Sequence, residues 1–167
     1  MKPGPSSMRV MLNKDYKDML QSLSEENVKF LLVGAYALAV HGFPRATKDI
    51  DVFVWASPEN AANLMRALGR FGAPVNDFSA ADFATEGTVL QIGGGPRRID
   101  ILTRIDGVKF AEAYDRRVTV RLEGLDVPVI SREDLIANKR ATGRTQDLAD
   151  IERLNSKVRS RDDDLTR

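Results

Sequence analysis

Apolar positions along the chain switch between helical and strand spacing several times, and each switch marks an element. Tyr16, Met19, Leu20 and Leu23 recur at helical spacing behind Asn13, a residue suited to cap a helix start. Val28 to Val33 is a short apolar run ending at Gly34 and predicts a strand. Ala35 to His41 is small and apolar, suits a short buried helix, and is stopped by Gly42 and Pro44. Asp49 to Trp55 predicts a strand of β-branched and aromatic residues, with Phe53 and Trp55 expected in the core. Ser57-Pro58 then opens a helix whose stripe is Ala61, Leu64, Met65 and Leu68, closed by Gly69 to Gly72.

The second half continues the alternation. Thr88 to Ile92, a Gly-Gly-Gly-Pro turn and Arg98 to Thr103 predict a strand-turn-strand unit. Val118 to Leu122 and Val127 to Ile130 predict another hairpin across Glu123-Gly124. Ser131 begins a capped helix through Leu135 and Ile136, ended by Gly143, and Thr145 starts a last one through Leu148, Ile151 and Leu154. Such an order predicts an α/β or α+β sheet domain with helices gathered towards the C-terminus. Residues 1–12 read as a loose leader rich in Pro, Gly and Ser, 13–155 as one domain, and 156–167 as a charged, solvated tail.

Composition narrows the function classes. A chain of 167 residues can bury a core without staples, and with 0 cysteines it has neither disulfides nor a thiolate zinc site. The N-terminus lacks the apolar stretch of a signal peptide, and the run from Phe30 to Val40 is too short to cross a bilayer, so a soluble, cytoplasmic protein without membrane contact is expected. The net charge of +1, from 25 Lys plus Arg against 24 Asp plus Glu, sets up no global field for nucleic acid. An anionic substrate must then be drawn by local clusters: Arg45 with Lys48, Arg97 with Arg98, and Lys139 with Arg140 and Arg144.

The segment VGAYALAVHGFPRATKDIDVFV carries the chemistry. Strand alternation projects Asp49 and Asp51 to one side and Ile50, Val52 and Val54 to the other. Alone, such a pair is solvated charge. Two adjacent carboxylates on a part-buried face repel each other, however, and a divalent cation with a taste for oxygen, Mg²⁺ or Mn²⁺, relieves that conflict. In RRIDILT, Asp100 sits between Ile99 and Ile101 in the same pattern, and pairing of the two strands would add it to the cluster. Three carboxylates with substrate phosphates suit in-line displacement at phosphorus. Gly34, directly after a strand, lets the amides of the next helix approach a phosphate, or simply makes a turn. His41, the only histidine, is expected to be structural.

These residues together resemble the signature of the nucleotidyltransferase superfamily, the polymerase-β-like fold, and most closely that of small bacterial proteins related to AbiEii-type toxins. The matching positions are Gly34, Ala37, His41, Gly42, Arg45, Thr47, Asp49 and Asp51, followed downstream by Lys139, Asp147, Leu148, Asp150 and Ile151. The resemblance covers roughly residues 28–154 and departs at Ala35, where the superfamily places Gly or Ser. It implies a minimal mixed sheet flanked by helices, with Asp49, Asp51 and Asp100 as catalytic metal ligands. It further implies phosphate contacts from the amides of Gly34 and Ala35 and from Arg45, Lys48 and Lys139, with Thr47 bracing the Asp49 strand or touching ligand.

The expected reaction is transfer of a nucleoside monophosphate from an NTP to an acceptor hydroxyl, with release of pyrophosphate. The acceptor stays open between tRNA, a protein and a small molecule, and the resemblance implies a toxin with a cognate antitoxin as its setting. Two other readings use the same residues: a nucleotide-binding module without transfer activity, and a metal-dependent phosphohydrolase or nuclease.

Overall fold

The computed structural model describes residues 12–43, 48–93 and 97–165, with side chains to residue 156. The elements are α1 (Lys14–Glu25), β1 (Phe30–Val33), α2 (Gly34–Val40), β2 (Asp49–Val54), α3 (Pro58–Phe71), α4 (Ala80–Phe83), β3 (Val89–Ile92), β4 (Arg98–Leu102), α5 (Phe110–Asp115), β5 (Val118–Leu122), β6 (Leu125–Val129), α6 (Arg132–Thr142) and α7 (Thr145–Leu165). The strands form one mixed sheet in the order β3-β4-β2-β1-β6-β5. β1 lies antiparallel to β2 and parallel to β6, β2 lies parallel to β4, and β3–β4 and β5–β6 are antiparallel hairpins.

Local chemistry sets the helix ends where the sequence places them. Asn13 accepts from the Tyr16 amide at 2.8 Å and Ser131 from the Asp134 amide at 3.1 Å, each satisfying a donor that the helix leaves orphaned. Gly72 and Gly143 close α3 and α6 in the left-handed conformation. Buried Asn60 of α3 bonds the backbone of Lys29 through both its oxygen (2.7 Å) and its nitrogen (3.0 Å), and the Trp55 carbonyl at 2.9 Å, fixing that helix to the ends of β1 and β2.

Alternation gives the sheet two different faces. Ile50, Val52 and Val54 of β2 join Ile99 and Ile101 of β4 on one face, all buried, and there Tyr16 of α1 and Phe71 of α3 border Ile92 and Ile99. The other face carries Asp49, Asp51 and Phe53 level with Arg98, Asp100 and Leu102. Phe110 of α5 covers the far end of that face, meeting the Phe53 ring edge-on at 5.0 Å.

The sequence pattern predicts neither α4 nor α5, whose 4 and 6 residues are too short to show a helical period. α7 continues to Leu165 through most of the segment read as a tail. Trp55, expected in the core, is 36% exposed because it follows the end of β2; it stacks on Phe110 with Lys29 over its ring. Leu148 is 51% exposed, so the apolar part of the buried face of α7 begins at Ile151. Among the described residues no helix is long and apolar enough to cross a membrane.

Candidate active site

Parallel pairing of β2 with β4 places Asp51 opposite Asp100 and Asp49 opposite Arg98. Partners in register project to the same face, so Asp49, Asp51 and Asp100 share one face at the leading ends of the two central strands, Asp51 hydrogen-bonded to Asp100 and Asp49 linked to Asp100 through Arg98. Asp100 is buried, while Asp49 and Asp51 are half-buried. Gly34 follows β1, whose Val33 is the partner of Asp51 on the other side. Its φ of +70° lies in the region glycine favours, and a Cβ there would overlap the Asp51 carboxylate, with Asp51 Cγ only 3.1 Å away. The glycine is thus required both by the turn and by the carboxylate lying against it.

Burial, then the charge of Asp100 and a hydrogen bond with it, and then the charge of Asp49, push the Asp51 carboxyl up to about 7. Asp51 and Asp100 are thus hydrogen-bonded to one another across the two strands. Arg98 supplies the local counter-charge. Its Nε donates to Asp100 Oδ1 at 2.7 Å, its Nη2 to Asp100 Oδ2 at 3.2 Å, and Nη2 also pairs with Asp49 Oδ2 at 3.4 Å. Among the described residues no three His, Cys, Asp or Glu side chains are arranged to hold a metal ion. In kind the donors suit a hard divalent cation: they are carboxylate oxygens only, and burial beside two other carboxylates disfavours the charge on Asp51.

Other groups hold the site in place. The Tyr16 hydroxyl bonds the carbonyl of Lys48, just before Asp49, and lies 3.3 Å from that of Arg98, two residues before Asp100. A single side chain of α1 therefore clamps the leading ends of both carboxylate strands. The Lys48 side chain is exposed. Lys139 is buried: its Nζ donates to Asp150 at 2.9 Å and lies 3.6 Å from Asp147. Arg140 and Arg144 are exposed; the Arg144 Nε donates to Asp147 at 2.7 Å, and its charge interacts with that of Asp51. The turn between α6 and α7 is therefore within electrostatic reach of Asp51. Burial opposes ionisation of Asp147, but hydrogen bonds from Arg144 and Thr142 and the charges of Arg144 and Lys139 outweigh it and hold its carboxyl at about 2. His41 bonds the Ile130 carbonyl through Nε2 at 2.8 Å, and its pKa is lowered chiefly by burial, which is a structural role. Arg45 and Thr47 lie outside the described residues.

Sequence reasoning missed Tyr16 and the engagement of Arg98. Arg98 is two residues before Asp100 on one strand, a spacing that puts both on the same face and could have signalled the pair.

A mixed sheet with carboxylates at the ends of adjacent central strands, facing a glycine turn, defines the nucleotidyltransferase class of site. The chain belongs to the family described as "Nucleotidyltransferase of unknown function (DUF6036)", which residues 10–161 match, and it is a nucleotidyltransferase. Three solved structures have the same fold. The lincosamide antibiotic adenylyltransferase LnuA, bound to lincomycin, is 14% identical with a TM-score of 0.55, over 87% of this chain and 98% of its own. ANT(2")-Ia in complex with adenylyl-2"-tobramycin is 16% identical with a TM-score of 0.53, over 85% and 86%. A Thermotoga maritima chain assigned as a nucleotidyltransferase is 19% identical with a TM-score of 0.52, over 86% and 90%. No curated protein matches the sequence.

Proposed function

We propose that this nucleotidyltransferase depends on a divalent cation, Mg²⁺ or Mn²⁺, held by Asp49, Asp51 and Asp100, and that its acceptor is a small hydroxylated molecule. The observation that carries the metal reading is the register pairing of Asp51 with Asp100, with Asp49 two residues away on the same face. A divalent cation bound there supplies positive charge to the triphosphate and acidifies the attacking hydroxyl. The chain's own groups position the reactants. The amides of Gly34 and Ala35 meet phosphate oxygens beside Asp51, and Lys48 and Arg144 add positive charge around them. The acceptor oxygen forms its bond to the α-phosphorus as the bridging bond to the β-phosphate breaks. Pyrophosphate leaves with that electron pair, and the hydroxyl proton passes to Asp100.

The small acceptor is favoured by two considerations. LnuA and ANT(2")-Ia, which share the fold, are captured with lincomycin and with adenylylated tobramycin. The net charge of +1 also gives no field for a long nucleic acid. The toxin setting implied by the resemblance would instead place the product on tRNA or protein.

One experiment separates these outcomes. The protein is incubated with each α-labelled NTP, Mg²⁺ and separate pools of small hydroxylated compounds, tRNA and protein. Label on a small molecule with equimolar pyrophosphate, lost in Asp51→Asn, is expected. Label on tRNA or protein would overturn the acceptor assignment, and free nucleoside monophosphate would make the chain a phosphohydrolase. Full activity in EDTA would remove the cation.

A further inference from the structure

The acidic cluster carries its own cation. Arg98 opens β4, and its fork occupies both oxygens of Asp100 (2.7 and 3.2 Å) while reaching one oxygen of Asp49 (3.4 Å). Its side chain is 38% exposed, so it lies at the mouth of the cluster with solvent on one side. A guanidinium forked on Asp100 and reaching Asp49 takes lone pairs of both carboxylates and sets a like charge beside any cation they bind, so the two compete. We propose that Arg98 is an internal competitor for the cation: it neutralises and orders Asp49 and Asp100 in the resting enzyme, and gives them up when cation and nucleotide arrive together. The proposal rests on the reading above that these carboxylates hold a divalent cation.

Two consequences follow from the geometry. The cation alone binds weakly, because it must break a forked, charge-assisted pair and leave a guanidinium without a partner. The cation with its triphosphate binds well, because phosphate oxygens offer the displaced guanidinium the same bidentate match that carboxylate did. Arg98 thereby couples the two ligands and acts as a positioning residue before substrate arrives. Its neighbour Arg97 is the internal control. It is exposed and close enough for its charge to act on Tyr16 and Tyr36, so it contributes to the local field.

The test is calorimetric titration with Mg²⁺ or Mn²⁺ alone, without nucleotide, into the native chain, Arg98→Gln and Arg97→Gln. Competition predicts binding about tenfold tighter in Arg98→Gln, equivalent to ~1.4 kcal/mol, and little change in Arg97→Gln. In the native chain, the Arg98 Nε–H resonance, assigned by its loss in Arg98→Lys, should shift or broaden with the midpoint of cation binding. Equal tightening in both Gln variants would reduce Arg98 to a general field effect and overturn the proposal. An Nε–H resonance unmoved at saturating cation would overturn it as well, whether or not the variants fold. If the cation binds all three chains equally, the inference fails and the metal site stands. If it binds none, with or without NTP, the metal site itself falls and the inference with it.

Discussion

Gly34 and Asp51 constrain each other through a single close approach, and that contact is where local sequence and chemistry coincide. Alanine at position 34 would have to adopt a φ of +70° and would also push a methyl into the Asp51 carboxylate. The conformational strain alone costs about 1–2 kcal/mol. Gly34→Ala is therefore expected to lower stability in urea by at least that much, and to lose transfer activity because Asp51 is displaced. Unchanged stability would mean that the turn relaxes freely. Asp51→Asn tests the opposite balance. Its carboxyl is pushed up to about 7 by burial beside two other carboxylates, so a neutral amide of the same shape removes a repulsion. The variant should melt no lower than the native chain while transfer falls at least roughly 100-fold. A destabilised variant with native turnover would contradict both halves. Gly34 and Asp49-x-Asp51 were legible because their roles follow from adjacency and alternation. The two-residue spacing of Arg98 and Asp100 could have shown that pair, but the reach of Arg98 to Asp49 was not legible, because it depends on parallel pairing between strands 49 residues apart in register.

Elements announced themselves through caps and periods, so Asn13, Ser57 and Ser131 foretold three helices, whereas α4 and α5 have too few residues to repeat a pattern. What the pattern could not show is how one element restrains another. Tyr16 projects from α1 to the backbone before Asp49 and before Asp100, and Tyr16→Phe should cost about 1 kcal/mol in stability for the lost hydroxyl. If the clamp also sets the spacing of the strands, Tyr16→Phe will lower turnover while an equally destabilising core substitution such as Leu68→Val will not. The α6–α7 pair shows the same gap between pattern and contact. The resemblance gives Lys139 as a phosphate contact, and the contacts place its Nζ buried against Asp150 and Asp147, with Arg140 and Arg144 exposed. Asp147 has a carboxyl depressed to about 2 from an ordinary 3.8. A depressed carboxylate contributes stability above its unfolded pKa and loses that contribution as pH falls through its folded value. The difference in stability between the native chain and Asp147→Asn should accordingly be constant above about pH 5 and shrink between about pH 4 and 2. A difference that does not change with pH would show that Asp147 acts through packing alone.

Different parts of the chain contribute around the site: Gly34, Asp49, Asp51 and Asp100 come from the strands and their turn, and Arg144, at the junction of α6 and α7, interacts electrostatically with Asp51. A triphosphate lying between the Gly34 turn and Arg144 would bridge these layers, so its binding should stabilise the molecule as a whole rather than one loop. Mass action fixes the size of the effect. A ligand at about 100 times its Kd adds about 2.7 kcal/mol to the folded state. For a domain of this length each kcal/mol raises Tm by roughly 2–4 °C, so a shift of about 5–10 °C is expected. The dependence on conditions is more diagnostic than the size. Mg²⁺ alone should shift Tm little while Arg98 holds Asp49 and Asp100, NTP alone should shift it little because its phosphates meet a cluster of carboxylates, and the two together should exceed the sum of their separate effects. EDTA should abolish the joint shift, and Asp51→Asn should show only the part due to NTP. Differential scanning fluorimetry with each of the four NTPs, with and without Mg²⁺, measures all of this on one preparation. A shift by NTP that is the same with EDTA would place the nucleotide away from Asp49, Asp51 and Asp100. Strictly additive shifts would mean that cation and triphosphate bind independently, so that Arg98 does not couple them.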